Sequence, residues 1–186
     1  MKNRKPNRMQ GYDYSSDNLY FVTSCVHNME CCFGEIIASV RTGRDLSVPN
    51  DEKESVPRMI LNEYGKIAEK QWYWLGEQYP YVVLHAFIVM PNHIHGIIEI
   101  NRGHFVRTGR DLSLQNIKSL SKLMGAYKTT VSKQIHLLDG IPTSAEFAWH
   151  RSFHEHIIRN EKTYKIISEY IINNPGKFEQ DNFYYQ

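Results

Sequence analysis

The chain has 186 residues, 41% of them hydrophobic and 23% charged, the proportions of one globular domain with its own core. Lysine and arginine total 22 against 20 acids, so a net charge of +2 does not announce a nucleic-acid binder, and any such binding must come from local clusters. No apolar run approaches the roughly 20 residues of a membrane span, and Cys25, Cys31 and Cys32 have neither the count nor the spacing of a disulfide framework or a zinc knuckle.

Residues 1–18 read as a loosely held polar arm, basic at its start through Lys2, Arg4, Lys5 and Arg8. The arm leads into polar sequence and not into the apolar stretch of a signal peptide, so a cytoplasmic location with no membrane partner is expected. Leu19–Val26 (LYFVTSCV) is rich in β-branched and aromatic residues and predicts a strand. Gly43–Pro57 has loop composition. From Arg58 to Glu77, apolar residues at helical spacing (Ile60, Leu61, Tyr64, Ile67, Ala68, Trp72, Leu75) predict an amphipathic helix. Tyr81–Met90 and His93–Ile100 are two further strands, and the short Pro91-Asn92 turn between them predicts an antiparallel hairpin.

Leu114–Leu138 has a long helical pattern in which Leu120, Leu123, Met124, Tyr127, Val131 and Ile135 share one face and Lys118, Lys122 and Lys133 the other. Ser152–Arg159 reads as a strand, and Glu161–Asn174 as a last helix stopped by Pro175-Gly176. This order predicts an antiparallel-rich α+β domain with its helices packed on one face of the sheet. The octapeptide VRTGRDLS occurs twice, at Val40–Ser47 and Val106–Ser113, with unrelated flanks. A structural repeat would keep the apolar pattern and let loops drift, so the copies are expected in tolerant surface loops.

Three constellations could carry chemistry. In MPNHIHGIIEI, strand period two projects His93 and His95 from the same face, where two imidazoles can hold one divalent ion; the alternative is a pair on a half-exposed face. Ile94, Gly96 and Ile98 point the other way, and Gly96 permits close approach of another element. In SFHEHIIR, His154 and His156 share a face with Glu155 opposite, open to metal ligation, to substrate or phosphate contact, or to plain packing. On the last helix, Tyr170 and Asn174 are four apart and hence neighbours, on a face that also carries Ile166, Ile167 and Ile171. Asn174 is an inner-face amide that helix capping before Pro175 would also explain. Tyr127, a competing nucleophile, lies mid-stripe with Leu123 and Val131 one turn away and reads as core.

MPNHIHGI after an apolar strand, then WHRSFHEHIIRN, then EYIINNP, with RMQGYDYSSDNLYFVTSCV and CCFGEI at the start, resembles the single-tyrosine transposases of the HUH endonuclease superfamily. The branch it resembles is that of the REP-associated, IS200-like tyrosine transposases. The resemblance covers nearly the whole chain outside the two VRTGRDLS loops. It implies a ferredoxin-like α+β fold, with 19–186 a single HUH transposase-like catalytic domain. It implies His93 and His95 as metal-binding histidines, Asn174 as the third ligand and Tyr170 as the catalytic tyrosine. The implied cofactor is Mg²⁺ or Mn²⁺, and the implied partner is single-stranded DNA with imperfect hairpins, bound by a monomer or a homodimer. The implied reaction is cleavage and rejoining of that DNA through a 5′-phosphotyrosine. Lys118, Lys122, Lys133, Arg4, Arg8, His154 and His156 are candidate DNA contacts. Two other functions stay open: a hairpin-binding protein that does not cut, and a metal-dependent phosphohydrolase built on the four histidines.

Overall fold

A computed structural model describes residues 9–37, 57–103, 117–138 and 147–180. Both VRTGRDLS copies, the arm cations Lys2, Arg4, Lys5 and Arg8, and most of the 43–57 loop lie outside the described residues. In chain order the elements are β1 Asn18–Cys25, β2 Gly34–Ile37, β3 Arg58–Leu61, α1 Glu63–Gln78, β4 Val82–Val89, β5 His93–Ile100, α2 Leu120–Leu138, β6 His154–Ile158 and α3 Glu161–Asn173. The main sheet runs β4-β5-β1-β6 with every neighbouring pair antiparallel, and β2 and β3 form a separate two-stranded ribbon. This is the expected α+β, ferredoxin-like arrangement. Among the described residues no helix is long and apolar enough to cross a membrane.

The alternation of β5 organises both faces of the sheet. Ile94, Ile98 and Ile100 join Tyr20 and Val22 of β1 in the main core. Trp72 and Leu75 of α1 cover them, together with the α2 stripe Leu120, Leu123, Met124, Tyr127, Val131 and Ile135. All six stripe residues are buried, as their spacing predicts. Ile97 points the other way and packs with Ile158 and with Ile171 of α3. The helices therefore divide between the faces, two on one and α3 on the other, in place of the one-sided packing expected. The reason is that the face carrying Ile97 also gathers Phe21, Ala86, Ile88 and Ile158 from the neighbouring strands, apolar groups that need a cover of their own.

Several boundaries also differ from expectation. Arg58–Leu61 pairs with Gly34–Ile37 as a strand. α1 begins only after Asn62, whose side chain caps the helix by accepting from the Gly65 N–H at 3.0 Å. α2 begins at Leu120, so Lys118 precedes the helix and is not on its lysine face. Residues 9–17 do not form a loose arm: Tyr12 and Tyr14 pack on the core, and the Tyr12 and Tyr14 rings meet edge to face at 4.9 Å. On α3, Ile166 is 56% exposed. At about 100° per residue the inward row is Tyr164, Ile167, Ile171 and Asn174, and Ile166 falls outside it. Beyond Asn173 the chain tightens into a 3-10 helix over Asn174–Gln180, so Pro175 does not end the helical path.

Candidate active site

Residues directly opposite in an antiparallel ladder share a face. Thr23 opposes His95, and Cys25 opposes His93. The tight β4–β5 turn, closed by Met90 N–H donating to His93 O at 2.8 Å, sets both histidines at the start of β5. His93 and His95 are fully buried, which removes the half-exposed alternative.

Their ring nitrogens are held at both ends. Asn92 Nδ2 donates to Met29 O at 3.3 Å, which turns Asn92 Oδ1 toward His93 Nδ1 at 2.7 Å. His93 therefore carries its proton on Nδ1 and presents a lone pair at Nε2. Thr23 Oγ1 lies 2.7 Å from His95 Nδ1. The two Nε2 atoms face each other at 3.0 Å, and Tyr170 Oη lies 3.2 Å from His95 Nε2. Phe21 borders the group, its ring 5.4 Å from His95 and 6.2 Å from Tyr170, and Phe178 lies 6.2 Å from His93.

Two imidazole nitrogens that face each other at 3.0 Å need a proton or a cation between them: one Nε2 donates to the other, or both point at a shared ion. Two nitrogens each about 2.1 Å from one ion, at a right angle, stand about 3.0 Å apart. The observed separation thus fits a shared divalent ion, with Asn92 and Thr23 as the outer groups that orient its imidazoles. Asn174, one turn after Tyr170, is fully buried. Among the described residues no three His, Cys, Asp or Glu side chains gather into a metal-binding group.

The helix that presents Tyr170 is anchored at its far end. Asn160 caps it by accepting from Thr163 N–H at 2.8 Å. Tyr164 Oη lies 3.1 Å from His85 Nδ1, and His85 Nε2 lies 2.9 Å from Glu99 Oε2. Ile167 and Ile171 then seat the middle of the helix against Ile97.

The remaining candidates are distributed elsewhere. Tyr127 is core, as expected: its hydroxyl donates to Ala68 O at 3.1 Å, and burial pushes its pKa upward. His154 and His156 are exposed, so packing does not account for them. They sit on β6, with β1 between them and the β5 pair, and no four-histidine centre assembles. Lys118 bonds Tyr79 Oη at 2.9 Å, and this raises its pKa. Lys122 and Lys133 are exposed on α2. Lys133 borders an open groove of about 780 Å³ with Lys128, His136, Phe147 and Trp149. Lys128 there donates to His150 O at 2.6 Å, and burial lowers its pKa. Arg4 and Arg8 lie outside the described residues. Sequence reasoning missed Thr23 and Phe21, because nothing local marks a partner 72 positions away. Asn92 was visible only as a turn residue.

The fold and site define an antiparallel α+β domain that carries a buried His-x-His pair facing a helix-borne tyrosine. No family model matches the chain. It is 34% identical over 187 residues to an uncharacterized protein of Haemophilus influenzae, spanning 97% of this chain and 93% of that one, and it belongs to the same family. In fold it is similar to a REP-associated tyrosine transposase solved bound to a REP hairpin. The TM-score is 0.53 at 17% identity, covering 92% of this chain and 73% of that one.

Proposed function

We propose that this protein is a single-tyrosine transposase, a divalent-cation-dependent nuclease and strand transferase acting on single-stranded DNA beside an imperfect hairpin. The observation that carries this reading is the convergence of three groups. Tyr170 Oη meets His95 Nε2 at 3.2 Å, where His95 Nε2 already faces His93 Nε2 at 3.0 Å. The fold shared with a transposase solved on a REP hairpin supports it.

His93, His95 and the Asn174 amide would hold Mg²⁺ or Mn²⁺, which would polarise the scissile phosphodiester and gather its developing charge. Tyr170 supplies the nucleophile. Its oxygen forms the bond to phosphorus, the bond from phosphorus to the 3′ oxygen breaks, and the phenol proton leaves to solvent. The 3′ oxygen takes a proton from solvent and ends as a hydroxyl, and the 5′ phosphate ends as a phosphotyrosine. That ester conserves the phosphodiester energy, so resealing needs no nucleotide cofactor. Lys122 and Lys133 would neutralise backbone phosphates of the bound DNA.

The test is a denaturing gel. Purified protein meets hairpin oligonucleotides with single-stranded flanks, drawn from DNA around its own gene, with Mn²⁺ or with chelator. A Mn²⁺-dependent covalent adduct whose labelled peptide contains Tyr170 is the expected result. Cleavage without any adduct would replace this reading with a water-activating phosphohydrolase. Binding without cleavage would replace it with a hairpin-binding protein.

A second expectation concerns the outer groups. Thr23→Val keeps shape but removes the oxygen beside His95 Nδ1. Calorimetric titration with Mn²⁺ should show affinity falling by about 10- to 100-fold. Unchanged affinity would mean that the Thr23 contact does not support a metal ligand at His95.

A further inference from the structure

The sheet face that carries the candidate site is covered unevenly. β1 and β6 pair so that Thr23 opposes His154 and Phe21 opposes His156, while on its other side β1 sets Thr23 opposite His95. Opposed residues share a face, so His154 and His156 lie on the same face as His93 and His95. Glu155 opposes Val22, a residue of the main core, and belongs to the other face. No carboxylate of β6 therefore shares the histidines' side.

α3 lies over β4 and β5, with Ile167, Tyr170 and Ile171 gathered around Ala86, Ile88 and Ile97. From there, exposure increases across the strands. His95 and Thr23 are buried, Phe21 is half-buried, and His154 and His156 are exposed on the edge strand. Along β6 the cover returns only at Ile158, which the start of α3 closes over. Among the described residues, then, the site is walled on the β4 side by the helix and open on the β6 side. Two strand spacings, about 10 Å, separate β5 from the edge.

Among the described residues, the β6 side is the open direction for a single strand of DNA whose phosphate reaches Tyr170. We propose that the nucleotides flanking the scissile phosphate cross the β6 edge, with His154 and His156 holding their backbone phosphates. This rests on the transposase reading above and adds to it the path of the substrate. Imidazole N–H groups donate to phosphate oxygens, and at an exposed edge they do so without burying charge. Phe21, between the edge histidines and the site, offers a ring on which a flanking base can stack.

The test reads affinity and not cleavage, so it does not depend on an active nuclease. Hairpin oligonucleotides with single-stranded flanks are made with one flanking phosphate at a time replaced by a neutral methylphosphonate. Their binding to wild-type protein, His154→Ala and His156→Ala is measured by fluorescence anisotropy at fixed salt in chelator. Both positions are exposed, and unchanged thermal melting will show that the variants are folded. Each variant should bind the unmodified oligonucleotide about tenfold more weakly. In wild type, neutralising one or two particular phosphates should cost a similar factor. In the matching variant the same replacement should cost nothing further, because the contact is already gone. If wild type and variants give the same profile across every phosphate, the strand does not cross this edge and the proposal falls. The Mn²⁺-dependent adduct at Tyr170 is scored separately, so loss of the nuclease reading and loss of this path are told apart.

Discussion

Replacing Tyr170 with phenylalanine is expected to abolish the covalent protein–DNA adduct, by about 10⁴-fold or more, while the fold and hairpin binding survive. Tyr170 is half-buried and its hydroxyl makes a 3.2 Å contact with His95 Nε2, so loss of the hydroxyl should cost no more than about 1 kcal/mol of stability. The ring keeps its packing against Phe21 and His95. Mn²⁺ affinity should also persist, because Nδ1 of each histidine is oriented by Asn92 or Thr23 and not by the phenol. Tyr127→Phe is the control. It removes a buried bond to Ala68 O, costs about 1 kcal/mol and leaves the adduct intact. An adduct that survives in Tyr170→Phe would sink the assignment of the nucleophile.

Gly96→Ala is expected to destabilise the protein by about 3 kcal/mol, a fall of roughly 6–12 °C in Tm, and to weaken Mn²⁺ binding with it. Gly96 sits between the two histidines' end of β5 and its isoleucines, on the core face. A methyl group there would stand 2.4 Å from Trp72 Cζ2 and 3.1 Å from Phe87 Cδ2. Trp72 cannot swing aside. Its ring is stacked on Phe87 at 4.4 Å and meets Tyr127 edge-on at 5.6 Å. The strand must shift instead, and His95 is the adjacent residue. A double-mutant cycle tests this cause: in a Trp72→Phe background the smaller ring should make Gly96→Ala markedly less costly. Equal cost in both backgrounds would remove Trp72 as the reason.

Much of this was legible in the sequence, for identifiable reasons. Period two placed His93 and His95 together and Gly96 opposite them, and the α2 stripe marked its own burial. The tight Pro91-Asn92 turn announced the β4–β5 hairpin. Legibility failed where a residue's role depends on a distant partner. Arg58–Leu61 contains apolar residues that fit a helical count, and only pairing with Gly34–Ile37 makes it a strand. Thr23 and Phe21 look like ordinary strand residues until β1 is laid beside β5. The division of helices between the two faces was readable in principle, since Ile97 is apolar among the residues alternating with Ile94 and Ile98. The counts on α3 were close but put Ile166 on the wrong side.

The alternation of β5 also sets what kind of change this gene can absorb. Deleting or inserting one codon within His93–Ile100 would reverse the facing of the residues on one side of the change, setting imidazoles and isoleucines on the same face. Point changes there are graded in effect, whereas a change of length must either flip residues or be taken up in a bulge, as β4 takes up an extra residue between Leu84 and Phe87. The chain contrasts this with two places where the same eight-residue phrase stands in unrelated surroundings.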